Sequence, residues 1–257
     1  MKTARLIACL LLIVTTGIVA AGIAIASSPT GGGSIAAAPT VVIGQTQFGN
    51  TTNGCYQDCY AADFWKLALI AADRVTIDWE SSSSNGCYYA DELALWPVGT
   101  TDYSINNASR LQNFGIGSNG KAESKFTANT TGAFPIMFDG CYGRSHGGPY
   151  DFVAYVRHLP LLSLTTSGAV SSVGTVTIGA HYADGAPISD RGLQVRVSGR
   201  WNRVWHVLGA GTPSNGQARI KIRIPRSERG RAIGLVAAAR GANYVSRRTS
   251  VRTVRVR

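Results

Sequence analysis

Hydrophobic and polar residues alternate along several short segments of this chain. The clearest cases are residues 74–79 and 219–224, where every second residue is apolar. A period of two is typical of a strand with one buried and one solvated face. Residues 63–69 follow the same alternation and include two aromatic side chains, so we interpret them as a strand and not as part of a helix over 60–72.

Turn sequences that contain glycine separate these segments at short intervals. They are Ser118-Asn119-Gly120, Thr131-Gly132, Asp184-Gly185 and Ser214-Asn215-Gly216. Many short strands with regular turns predict an all-β fold of sandwiches or barrels. Composition agrees, because charged residues make up only 15% of the chain, too few for a charge-rich disordered chain, a long coiled coil or a cytosolic helical bundle.

Residues 1–26 have the pattern of a secretory signal peptide. Lys2 and Arg5 precede an uncharged stretch, and Ala24-Ile25-Ala26 places small residues where a signal peptidase reads them. The sequence therefore predicts a secreted or cell-surface protein, and the membrane is a partner only if this segment stays uncleaved as an anchor. The Ser-, Gly-, Pro- and Ala-rich residues 27–39 are expected to form a flexible leader.

Four cysteines follow the signal peptide, at Cys55, Cys59, Cys87 and Cys141. An even number in an exported chain predicts two disulfides with three formal pairings, of which we favour Cys55–Cys59 and Cys87–Cys141. The second would close a loop of roughly 50 residues and stabilise the fold by roughly 4 kcal/mol on the chain-entropy model. The spacing does not match a common zinc pattern, so we predict that these cysteines hold no metal.

Cysteine use and charge both change near residue 160. Residues 40–160 hold these four cysteines and carry 7 Lys and Arg against 11 Asp and Glu, whereas residues 161–257 hold no cysteine and carry 16 Lys and Arg against 3 Asp and Glu. Two changes at one point predict a boundary between two domains, 40–160 and 161–257.

The first domain resembles the bacterial pre-peptidase C-terminal domains over about residues 45–158. The resemblance rests on the order of five short motifs: Asp63-Phe64-Trp65-Lys66-Leu67, Ala72-Asp73-Arg74-Val75-Thr76-Ile77, Asp91-Glu92-Leu93-Ala94-Leu95-Trp96-Pro97, Thr131-Gly132-Ala133-Phe134-Pro135-Ile136 and Pro149-Tyr150-Asp151-Phe152-Val153. It implies a jelly-roll-like β-sandwich with an exported accessory role and not proteolysis. The four cysteines and the long loop over 81–85 depart from the family pattern.

The second domain resembles a bacterial immunoglobulin-like domain over most of residues 164–257. The matching segments are the turn at 182–188, the turn and strand at 215–220, and the strand at 233–239 with its exit at Asn243-Tyr244. Such domains usually act as spacers or adhesive units, and the fold alone does not fix a function. Together the two resemblances imply two consecutive β-sandwiches after the signal peptide.

No residue pattern in the sequence predicts catalysis, since neither a nucleophile elbow nor an H-E-x-x-H segment is present. Residues 115–120 match G-x-G-x-x-G, but the segment after them is too short and strand-like for the helix that a dinucleotide site requires. We therefore predict no catalytic residue, no cofactor, and no nucleotide or specific nucleic acid as a partner. A triad assembled from distant residues, with Ser145 and His146 as the residues to test, stays open.

Two sets of residues are candidates for binding. Aromatic side chains beside the cysteine turns could form a carbohydrate platform: Tyr56, Tyr88, Tyr89 and Tyr142. Basic side chains of the second domain could attract an anionic polymer: Arg219, Lys221, Arg223, Arg226, Arg252 and Arg255. Trp201 and Trp205 bracket Arg203 and are expected on one strand face with it. Asp91-Glu92, after a cysteine-bearing turn, is a reasonable place for calcium ligands, although no D-x-D-x-D-G loop is present and we favour ordinary solvated loop charge.

The sequence therefore predicts an exported, non-catalytic binding or attachment protein of the cell envelope or extracellular space. Its expected partner is a polysaccharide or an anionic envelope polymer. The alternative is a secreted hydrolase or a protease-associated accessory factor.

The cysteine assignment generates the first testable prediction. If both disulfides form, thiol titration of the exported protein, denatured but not reduced, should find no free thiol. Cleavage of the signal peptide removes Cys9, and the other four cysteines are paired. Two or more free thiols per chain would contradict the pairing.

Overall fold

The computed structural model of this chain describes residues 31–51, 54–56, 60–84, 87–101, 110–140, 148–166 and 168–257. Within these ranges, side chains are not described for residues 54–56, 60–61, 83–84 and 87. The described architecture is all-β, as the alternation predicts. In this part of the chain, no helix has the length and apolar character needed to cross a membrane.

Two antiparallel sheets form the first sandwich. Its strands are β1 (Thr46–Asn50), β2 (Gly54–Tyr56), β3 (Tyr60–Leu69), β4 (Arg74–Ser81), β5 (Ser83–Ser84), β6 (Cys87–Tyr88), β7 (Glu92–Leu95), β8 (Gln112–Gly115), β9 (Lys121–Thr127), β10 (Gly132–Asp139) and β11 (Pro149–Arg157). The sheet orders are β1-β11-β4-β9 and β2-β3-β10-β7-β8, and β5 pairs with β6 alone. The strand predicted over 63–69 is confirmed as part of β3.

Aromatic side chains fill the space between these two sheets. On β4, Val75, Ile77 and Trp79 are buried at alternate positions, which puts one face of the strand in the core. Phe138 and Phe152 lie in the same cluster with ring centroids 4.9 Å apart. The apolar positions of the period-two pattern therefore lie on the inner face of the sheet, as expected for a sandwich.

A short polar network lies inside this aromatic core. The indole Nε1 of Trp65 donates to the Tyr150 hydroxyl over 2.7 Å, and that hydroxyl donates to Oδ2 of Asp63 over 2.9 Å. The same carboxylate oxygen accepts from the backbone N–H of Asn50, on β1. Burial and the neighbouring Asp63 charge raise the pKa of the Tyr150 phenol well above its usual value, so the hydroxyl keeps its proton.

Residues 31–39 pack on the first sandwich, which differs from the flexible leader expected for 27–39. Gly32 exchanges two backbone hydrogen bonds with Phe64 at the edge of β3. Ile35 and Ala38 are buried on the outer face of the five-stranded sheet, against Trp96 among others. The composition of the segment suggested flexibility, but its few apolar side chains cover an apolar outer face that would otherwise meet water.

The second sandwich follows in residues 161–256. Its strands are β12 (Leu161–Thr165), β13 (Ala169–Val170), β14 (Val173–His181), β15 (Gln194–Trp201), β16 (Val204–Gly211), β17 (Gln217–Arg223), β18 (Ala232–Gly241), β19 (Tyr244–Arg248) and β20 (Arg252–Val256). A three-stranded sheet has the order β12-β14-β17, and a six-stranded sheet has the order β13-β20-β18-β15-β16 with β19 also paired to β18. A 3₁₀ turn, Arg226–Glu228, lies between β17 and β18.

Aliphatic side chains from both sheets form the second core. Ile220 and Ile222 of β17 face Val197 of β15 and Leu235 of β18 within one cluster. Because these inner faces meet, the outer faces of the two sheets lie on opposite sides of the sandwich.

The two sandwiches meet at the segment around His158. Its backbone N–H donates to the carbonyl of Asn243, and its carbonyl accepts from the N–H of Val245, which makes a parallel bridge to Tyr244. Its imidazole Nδ1 lies 2.8 Å from Oδ1 of Asp73 on the first sandwich. The described strands before and after this segment belong to different sheets, near the boundary that the sequence predicts at residue 160.

The polar network predicts the effect of removing one hydroxyl. Tyr150→Phe should lower the free energy of unfolding by about 1–3 kcal/mol, because Trp65 and Asp63 both lose a buried hydrogen-bond partner. Urea unfolding measures this. Tyr155→Phe, on the exposed side of the same strand, is the matched control and should change the value by less than about 0.5 kcal/mol. Equal effects of both substitutions would contradict the network's role.

Candidate functional site

Three basic side chains stand in a row on β17. Arg219, Lys221 and Arg223 are exposed, while Ile220 and Ile222 between them are buried. We call this row the β17 strip; its members lie about 7 Å apart, since a strand advances about 3.4 Å per residue. The strip lies on the outer face of the three-stranded sheet, as the alternation predicts.

The neighbours of the β17 strip carry no negative charge. Thr177, Thr175 and Val173 of β14 lie opposite its three residues in the strand register. No residue of β12, β14 or β17 is acidic. The positive charge of the strip is therefore not neutralised within its own sheet.

The other three predicted polyanion-binding residues lie elsewhere. Arg226 is exposed in the 3₁₀ turn after β17. Arg255 lies on β20, where its Nε donates to the carbonyl of Gly230, and Arg252 donates to the carbonyl of Leu164. Since β20 belongs to the six-stranded sheet, the structure does not gather the six residues into one row with the β17 strip.

The outer face of the six-stranded sheet carries a second basic surface, which the sequence analysis missed. A groove of about 410 Å³ lies there, and five arginines line or border it: Arg196, Arg200, Arg240, Arg247 and Arg248. We call it the arginine groove. These residues come from β15, β18 and β19, so only strand pairing brings them together; the alternation of Arg196 and Arg200 with Val195, Val197 and Gly199 was the available sequence signal.

The hairpin that borders this groove differs from the arrangement expected for Trp201, Arg203 and Trp205. Asn202 and Arg203 have φ values of 49° and 64°, so they form the tight turn between β15 and β16. Trp201 stacks on His206 with ring centroids 4.0 Å apart. Trp205 instead pairs with Arg200, whose guanidinium carbon lies 5.9 Å from its ring centroid. The three residues therefore do not share one strand face.

A β-bulge lies in β16 beyond Trp205. The register between β15 and β16 shifts at Val197 and Ser198, so that Val207 pairs with Ser198 while Gly209 pairs with Val197. Leu208, the extra residue, is buried. Trp205 and Val207 lie between the turn and the bulge, opposite Arg200 and Ser198, so they face outward beside the arginines.

The two described tyrosines of the predicted carbohydrate platform are engaged in packing. The Tyr88 hydroxyl donates to the carbonyl of Ser118 over 2.6 Å. The Tyr89 ring lies against Gly148, where an added Cβ would approach it to 2.3 Å. The side chain of Tyr56 and the whole of Tyr142 lie outside the described residues.

Several other predicted residues also lie outside the described part of the chain. These are Cys59, Cys141, Ser145, His146 and the signal peptide, and the side chains of Cys55 and Cys87 are not described. The disulfide pairing and the signal peptide therefore stay predictions. The glycine motif at 115–120 links β8 to β9, so a strand follows it and not the helix of a dinucleotide site.

A pair of carboxyl groups lies where β10 ends and β7 begins, at one end of the first sandwich. Asp139 lies opposite Glu92 in the register of β10 and β7, and Nη1 of Arg110 lies 2.6 Å from Oε1 of Glu92. Burial raises the pKa of Asp139 well above its usual value, and the Glu92 charge adds to this. Burial also raises the pKa of Glu92. Around Asp91 and Glu92, and throughout the described residues, no three His, Cys, Asp or Glu side chains are grouped as a metal site would require.

Comparison with known proteins gives no family. No family model and no curated protein matches the chain. Solved structures similar to it include the pre-peptidase C-terminal domain of collagenase from Bacillus anthracis, 13% identical with a TM-score of 0.30, over 45% of this chain and 92% of that chain. They also include the adhesin domain of Epf from Streptococcus pyogenes, 12% identical with a TM-score of 0.39, over 76% of this chain and 72% of that chain. The first is a domain of the family that residues 45–158 resemble in sequence.

The carboxyl pair predicts a pH dependence of stability. In the unfolded chain, Asp139 has the ordinary aspartate pKa of about 3.9 and loses its proton above that pH. In the folded state its pKa is higher, so folded Asp139 still holds the proton there. The free energy of unfolding should therefore fall as the pH rises through the window between these two values. Asp139→Asn should remove this contribution and make the protein more stable than the parent at pH 7, with little difference near pH 3.

Chemical unfolding at both pH values measures the effect. Glu123→Gln, at an exposed ion pair with Lys125, is the control and should change the free energy of unfolding at pH 7 by less than about 0.5 kcal/mol. A loss of stability at pH 7 in Asp139→Asn would contradict the assignment.

Proposed function

We propose that this chain is an extracellular, non-catalytic binding protein, and that the β17 strip attaches it to an anionic polymer of the cell envelope. The observation that carries the proposal is the strip itself. Arg219, Lys221 and Arg223 point into solvent in one line, on a sheet without a carboxylate. A linear polyanion presents its charges at repeated intervals, so a straight row of cations is a suitable counterpart.

The few acids of the second sandwich do not offset this charge. Asp190 accepts hydrogen bonds from the Tyr244 hydroxyl and the Gly192 N–H. Glu228 is buried and paired with Arg231, and Asp184 accepts from the N–H of Ala186 in its own turn. Sixteen basic residues against three such acids give residues 161–257 a strongly positive field, which favours encounter with any polyanion.

A polar recess adjoins one end of the strip. It has a volume of about 490 Å³ and is lined by Thr212, Ser214, Asn215, Gln217 and Arg219. Hydroxyl and amide groups beside a guanidinium suit a phosphate or carboxylate on a hydroxylated backbone. We therefore propose a sugar- or polyol-based polymer that carries phosphodiester or uronate groups as the ligand class.

The proposal is tested by removing the three charges. Arg219→Gln, Lys221→Gln and Arg223→Gln together should weaken binding to a uronate or teichoic-type polymer at least tenfold at about 0.1 M salt. The salt dependence of binding should also become flatter, because a protein with fewer charge contacts releases fewer counterions from the polymer. Binding is measured by titration at several salt concentrations. Stability should change little, since the residues face solvent.

A second triple variant controls for net charge. Arg196→Gln, Arg247→Gln and Arg248→Gln remove the same charge from the arginine groove, on the opposite side of the sandwich. This variant should keep most of the polymer affinity. If both variants lose affinity equally, the polymer responds to net charge and the β17 strip is not its site.

A further inference from the structure

The arginine groove combines an apolar row with cations on both sides. In the strand register, Val207 of β16 and Val236 of β18 both lie opposite Ser198 of β15, and Val251 also lines the groove. These residues define an apolar row that crosses three strands. A ligand on this row therefore meets valine side chains at both ends.

Charged side chains flank this row at a distance of about two residues, roughly 7 Å, on each side. Arg200 lies on one side, opposite Trp205. Arg196 lies on the other side, opposite Ala238, which pairs in turn with Arg248. Arg240 and Arg247 complete the rim, and no residue that lines the groove is acidic.

The apolar side chains at the margins of the groove are unusually open to solvent. Val207 is 61% exposed, Val251 59% and Trp205 42%. Single exposed apolar residues are normal on a protein surface, but a group of them marks an interaction site. Here the group lies on the β15–β16 hairpin and on the facing side of the groove, and arginines surround it.

We propose that this face binds the surface of a membrane rich in anionic phospholipids. The valines and Trp205 would enter the boundary between headgroups and acyl chains, which is where tryptophan side chains are favoured. The arginines would pair with lipid phosphates, which accept two parallel hydrogen bonds from one guanidinium. A polysaccharide is the less suitable partner, because valine side chains offer no hydrogen bond to sugar hydroxyls.

The location of the face makes it independent of the β17 strip. The two surfaces lie on outer faces of different sheets, on opposite sides of one sandwich. The same chain could thus hold an anionic polymer on one side and a lipid surface on the other. Either activity can be lost without the other.

Vesicle binding by the exported chain tests the proposal. We expect sedimentation with vesicles of phosphatidylglycerol and phosphatidylcholine, and none with phosphatidylcholine alone. Arg196→Gln, Arg247→Gln and Arg248→Gln together should lower the affinity about a hundredfold, given the usual contribution of an arginine near an anionic membrane. The triple variant of the β17 strip, with the same loss of charge, should change it less than about threefold at 0.1 M salt.

Tryptophan fluorescence separates insertion from charge attraction. Trp65, Trp79 and Trp96 are buried, and Trp201 packs against the second core and on His206. A blue shift on vesicle binding, with quenching by brominated acyl chains, should therefore come mainly from Trp205. Trp205→Phe should remove most of this signal. Val207→Ser with Val251→Ser should lower vesicle affinity at least fivefold while all charges are kept.

The outcomes are decisive in both directions. Loss of binding in the groove variants, with thermal midpoints equal to the parent and the strip variant unaffected, supports the proposal. Equal loss in both triple variants, an unchanged fluorescence signal, or groove-dependent binding to a uronate polymer without binding to vesicles would overturn it. Because the valine and arginine variants alter different residues, poor folding of one leaves the other as the test.

Discussion

Each sheet of the second sandwich buries its inner face, and this constraint decides where the basic side chains of its strands lie. On β17, the buried isoleucines oblige Arg219 and Lys221 to point outward. A slip of the strand by one residue would bury cations and expose isoleucines, at a cost far above the stability of a small domain. The positions of the basic residues are therefore as well determined as the core itself.

The same constraint gives the outer faces of the second sandwich different characters. The three-stranded sheet presents threonines beside a straight line of cations, which suits a ligand lying flat along a strand. The six-stranded sheet presents valines and a tryptophan among arginines, because the β15–β16 turn places Trp205 and Val207 opposite outward-facing residues of β15. Both outer faces carry positive charge, so charge alone does not distinguish their ligands. The exposed apolar side chains of Val207 and Trp205 on the six-stranded sheet do distinguish them.

The sequence predicts the features whose signal lies within a single strand, and it does not reveal those that depend on the pairing of distant strands. Period-two alternation is a property of one strand, so β4, β17 and the outward direction of Lys221 were predictable. The arginine groove needs the pairing of β15 with β18 and of β18 with β19, which no single segment reveals. The outward direction of its tryptophan depends on the turn at Asn202 and Arg203, which the alternation of residues 200–205 does not reveal. The packing of Ile35 was hidden for a related reason, since a segment of small residues reveals nothing about the surface that it covers.

The contacts around His158 have a mechanical consequence. A protein attached by its second sandwich and pulled through its first would carry tension across residues 157–160. There, two backbone hydrogen bonds to Asn243 and Val245 act with the bond from Arg157 to the Tyr244 carbonyl and the contact of His158 with Asp73. These contacts restrain rotation of one sandwich against the other, so that drag on the first sandwich would reach the attachment face as leverage.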